Sequence, residues 1–106
     1  MQEHPNLSYI KELSGSDSAF EQKFIQILKE EFPIEVQTYN GHINQKELNM
    51  AAELVHKLKH KFNILSMSKA YAFAIQYEEE LRTGNMKMGV DFLKFLDTVK
   101  NYLKTI

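Results

Sequence analysis

The run His56-Lys57-Leu58-Lys59-His60-Lys61 carries the most chemistry in this chain of 106 residues. Its two imidazoles stand at i and i+4, a helical spacing that can place both on one metal ion. Glu53 and His56 add the Glu-x-x-His spacing of di-iron bundles. Cysteine is absent, which removes disulfides, thiolate nucleophiles, iron-sulfur clusters and cysteine zinc sites together. Any metal ligation therefore falls to histidine and carboxylate. A di-iron site needs two such motifs projecting inward, and the chain has one. Zinc would need a third ligand that the sequence does not supply, so no metal and no cofactor of its own is expected. From Leu54 to Tyr77 the chain holds His56, Lys57, Lys59, His60, Lys61 and Lys69 without one acidic residue. By composition alone, such a run describes only a solvated, basic helix face.

The elements that carry these residues are marked by breakers and hydrophobic period. A short amphipathic piece from Leu7 to Leu13 ends at Ser14 and Gly15. Ser18 followed by Glu21 has the spacing of a capping box, so a second helix is predicted to begin there. It carries Phe20, Phe24, Ile27 and Leu28 on one face, bends at Pro33, and stops at Asn40 and Gly41. The third helix opens with Asn44 as cap and Glu47 three residues on. Leu48, Ala51, Ala52, Val55, Leu58, Phe62 and Leu65 form its core stripe. After a brief interruption from Asn63 to Ser66, a fourth helix carries Met67, Ala70, Tyr71, Ala74, Tyr77 and Leu81, ending at Gly84 and Asn85. The last shows Met88, Phe92, Leu96, Val99 and Leu103. Phe62, Tyr71, Phe73 and Tyr77 read as core packing.

Connections of only about 2 to 5 residues force neighbouring helices to pack antiparallel. The expected fold is all-α, a single domain over residues 1–106: an up-and-down antiparallel four-helix bundle with a short extra N-terminal helix. On a wheel of the third helix, His56 lies roughly 130° from the centre of the apolar stripe. Its ring is therefore expected to face water, with Asn49, Ala52, Lys59, His60 and Asn63 around it.

Composition narrows the function further. The formal net charge is −1, and Arg82 is the one arginine among 13 basic residues, so no nucleic-acid partner is expected. The opening "MQEHPNLSYI" lacks the layout of a signal peptide, and no apolar run approaches the ~20 residues of a membrane span. A cytoplasmic, free-standing monomer is expected, with no membrane partner. Neither a glycine-rich phosphate loop nor a Gly-x-Ser-x-Gly elbow is present, which excludes an autonomous kinase and an esterase-like triad.

"HKLKHKFNILS", with "AAELV" before it and "YEEELRTGN" some twenty residues after, resembles the signature of histidine phosphotransfer (HPt) domains. The resemblance covers nearly the whole chain: a short first helix, a long second helix with a proline partway along, and a hydrophobic helix after the turn. It implies that His56 is the phosphoaccepting histidine, Leu58 the following core leucine, and Lys59 the basic residue beside the phosphoryl group. Ile64 and Leu65 match the hydrophobic pair before the turn. Two positions depart. His60 stands where the family usually has glycine, and Ser66 stands where glycine often follows the hydrophobic pair. Serine there is read as a helix cap. His60 could crowd a partner's approach, donate a hydrogen bond to the phosphoryl oxygens, or accept the phosphoryl group itself.

By this resemblance the chain is a phosphorelay carrier, not an enzyme with kinase activity of its own. It would exchange a phosphoryl group with the aspartate of response-regulator receiver domains, downstream of a hybrid sensor histidine kinase. The Mg2+ of the reaction would belong to the receiver. The alternative is a degenerate module of this ancestry that docks on a receiver or kinase without transfer. Lys57 and Lys61 are expected only to solubilise the face.

Overall fold

The computed structural model describes residues 3–106, and these form five helices with no strand among them. They are α1 (Ser8–Ser14), α2 (Ser18–Asn44), α3 (Leu48–Ile64), α4 (Ser68–Arg82) and α5 (Gly89–Leu103). No described helix is long and apolar enough to cross a membrane. At 1.5 Å per residue, α2 is about 40 Å long, against a longest extent of 45 Å for the molecule.

The predicted stripe of α3 is the centre of the core. Ala51, Ala52, Val55, Leu58 and Phe62 on it are all fully buried. α3 packs most extensively on α4 and α2, whereas α5 touches α4 and, sparsely, α2. Ala51 and Ala52 on α3 and Ala70 and Ala74 on α4 are small and fully buried. Tyr77 and Phe62 are buried as expected, while Tyr71 and Phe73 pack half-buried against the core.

Several helix ends differ from the sequence expectation. Asp17, in extended backbone, caps α2 by accepting from the Phe20 N–H at 3.0 Å, and Ser18 is the first helical residue. Both residue types cap well, and the aspartate comes first. α2 then continues through Pro33, which removes a single hydrogen bond from an otherwise tertiary-supported helix, and through Asn40 and Gly41 to Asn44. Its stop is Lys46, left-handed at φ 58°, with Lys46 N–H donating to Ile43 O and Glu47 N–H to His42 O. That is a Schellman closure, so Asn44 ends α2 and Glu47 precedes α3 without a side-chain cap bond.

The buried face of α2 is Ile25, Leu28, Phe32 and Tyr39, with Phe20 and Ile27 left exposed. A second Schellman closure ends α3, where Ser66 is left-handed at φ 63° and Met67 N–H donates to Phe62 O at 2.9 Å. Ser66 therefore does not cap α4. That end is capped from 66 and 67 residues away by Glu3, whose carboxylate accepts from the N–H groups of Lys69 (2.8 Å) and Ala70 (3.0 Å).

Candidate functional site

His56 sits midway along α3 with its side chain 52% exposed, on the flank of the helix beside α4. Close packing of α3 on α4 brings the Glu78 carboxylate beside the ring, with Oε1 3.2 Å from Nδ1 of His56. Lys59 Nζ lies 3.2 Å from both Glu78 Oε1 and His56 Nδ1. Arg82, one turn beyond Glu78 on α4, places Nη2 3.5 Å from Oε2. Glu78 and Lys59 are mostly shielded, with side chains 16% and 12% exposed, while the ring they touch is open to water.

Burial by itself raises the Glu78 carboxyl, but hydrogen bonds from Lys59 and His56 outweigh it and hold the group below its ordinary value. A carboxylate only accepts, so it favours the ring tautomer that carries its proton on Nδ1. Lys59 can then direct its proton to the same oxygen. This tautomer leaves the lone pair on Nε2, away from Glu78. Lys59 and Arg82 thus set two cations against this one carboxylate beside the ring.

His60 stands one turn on, its ring edge-on to that of His56 with centroids 5.0 Å apart at 85°. It is exposed. Among the described residues, no three histidine or carboxylate side chains converge as metal ligands. The structure thus brings His56, Lys59 and His60 together and adds Glu78, which sequence reading missed. The acid-free segment that marked the site ends at Tyr77, one residue short of it.

Lys61 requires a correction. It is buried, and its amine bridges Glu31 (2.9 Å) and Glu35 (3.3 Å) on α2. Its position next to Phe62 on the packed side of α3 makes it an internal strut instead of a solubilising residue. The basic face is consequently smaller than composition implied. Comparison of the chain with family models, with curated proteins and with solved structures finds no match.

Proposed function

We propose that the chain is an up-and-down antiparallel four-helix bundle with a short N-terminal helix that serves as a cytoplasmic histidine phosphotransfer intermediate. His56 accepts a phosphoryl group from the aspartate of a receiver domain and passes it to another, within a relay fed by a hybrid sensor histidine kinase. The observation that carries this reading is a water-facing imidazole whose Nδ1 is held by a shielded carboxylate.

In the transfer, the Nε2 lone pair attacks phosphorus, the P–O bond to the receiver's aspartate breaks, and that carboxylate leaves with the bonding pair. Phosphoryl transfer asks mainly for positioning and charge stabilisation. Glu78 supplies both to the ring: it fixes the plane through Nδ1–H and offsets the positive charge that develops on the imidazole as Nε2 bonds to phosphorus. Lys59 keeps Glu78 ionised and, with Arg82, faces the incoming negative charge. Such partly screened pairs contribute about 1 kcal/mol each. Mg2+ and its acidic pocket belong to the receiver, whose negative site suits this cluster. Contact is expected to be small and transient, under about 1,200 Å².

The edge-on ring of His60 favours the second reading, a docking module in which that imidazole obstructs the acceptor. One experiment decides between them. A phosphorylated receiver mixed with the protein should pass its label to an acid-labile, alkali-stable site, and His56→Gln should abolish transfer. Binding without transfer across the receivers of the same organism would establish the docking module.

A further inference from the structure

A cavity of about 540 Å³ opens between α2 and α5, where those helices touch only sparsely. Its floor is apolar: Phe32 and Leu103 are 3% and 6% exposed, and Val36 and the Pro33 ring stand beside them, with the amides of Gln37 and Asn40 also on the wall. None of its nine lining residues is acidic, and three are lysines. Lys29 is engaged, donating to the Ile106 backbone oxygen at 2.6 Å. Lys100 and Lys104 stand at i and i+4 on α5 and its C-terminal cap, both exposed, and neither forms an ion pair among the described residues.

We propose that this groove binds a single-chain aliphatic carboxylate, a fatty acid. Its size falls in the range of small-molecule sites, roughly 300–1,000 Å³, and favours a slender ligand over a docked helix. The lining from Lys29 to Asn40 follows α2 for about three turns, roughly 16 Å, which suits an extended hydrocarbon chain. That chain displaces water from Phe32, Val36 and Leu103, and the carboxylate is held at the mouth by the ammonium groups of Lys100 and Lys104. An amphiphile of the opposite head charge would bring a cation against two unpaired amines.

The groove shares no residue with the His56 site, so the test stands apart from the phosphotransfer reading. Dodecanoate, kept below its micellar range, is titrated into the full chain and followed by amide NMR. Saturable one-to-one binding with shifts centred on α2 and α5 around Val36 and Leu103 is expected, and His56→Gln should bind equally well. Lys100→Glu combined with Lys104→Glu, both surface changes, should weaken binding at least tenfold with helix content unchanged by circular dichroism. Dodecyltrimethylammonium should bind at least tenfold more weakly than dodecanoate. Non-saturating or scattered shifts, a charge-reversed variant that binds as tightly, or equal binding of the two head groups would overturn the assignment.

Discussion

Glu78 Oε1 lies 3.2 Å from Nδ1 of His56, although the two residues belong to different helices and stand 22 positions apart. The contact crosses the interface between α3 and α4, the most extensive helix packing of the fold. It turns a surface histidine into one with two distinct nitrogens, one tethered and one open. If that tether orients the acceptor, removing its charge should disturb chemistry and acid stability together.

Glu78→Gln should slow phosphoryl transfer to His56 about tenfold, the equivalent of about 1.4 kcal/mol in the barrier. Imidazole 15N spectra should show the ring losing its preference for the Nδ1–H tautomer. An unchanged rate and tautomer would mean that the carboxylate is only structural.

The same carboxyl sets a pH dependence. Its folded-state pKa is depressed, so its stabilising contribution is complete above the ordinary glutamate value, about 4.3, and is lost as pH falls through the lower folded value. Urea midpoints of wild type and Glu78→Gln should therefore differ at neutral pH and converge on acidification.

Ser66 holds a left-handed conformation at φ 63°, which costs an L-residue roughly 1–2 kcal/mol. Ser66→Gly relieves this at some cost in unfolded-state entropy. A net gain of about 1 kcal/mol is expected, raising Tm by about 4–8 °C in a domain of this size. A fall in Tm would show that the serine side chain matters in another way.

Tyr39 and Tyr77 join their hydroxyls at 2.6 Å in the core, beside Gly89, where an added Cβ would come within 2.8 Å of the Tyr77 hydroxyl. Gly89→Ala should destabilise by about 2 kcal/mol through overpacking, and Tyr77→Phe should relieve most of that clash. Tyr39→Phe and Tyr77→Phe should each cost about 1–3 kcal/mol, because the remaining hydroxyl is buried without its partner. The double Phe variant should cost less than the two single costs added. Denaturant melts of wild type and these variants check this.

The helical class and the core stripes of α3, α4 and α5 were legible in the sequence, because apolar side chains repeat at helical period and Val55, Leu58, Phe92 and Val99 have no other face to turn inward. So was the exposure of His56, which follows from the same wheel. Helix ends were less so: Gly41 looked like a stop, yet the left-handed turn falls at Lys46, a residue type that gives no such signal. Contacts across helices were not legible at all. The pairing of Lys61 with Glu31 and Glu35, the capping of α4 by Glu3, and the reach of Glu78 to His56 depend on how helices rotate and stack. No local spacing encodes those.

The most direct test is where the phosphoryl group resides. After incubation with a phosphorylated receiver, the chain should carry one labile phosphate that fragment mass spectra assign to His56, and 15N–31P correlation should place the bond on Nε2 with Nδ1 still protonated. Phosphate on His60, a bond at Nδ1, or no phosphate from any receiver of the same organism would contradict the account.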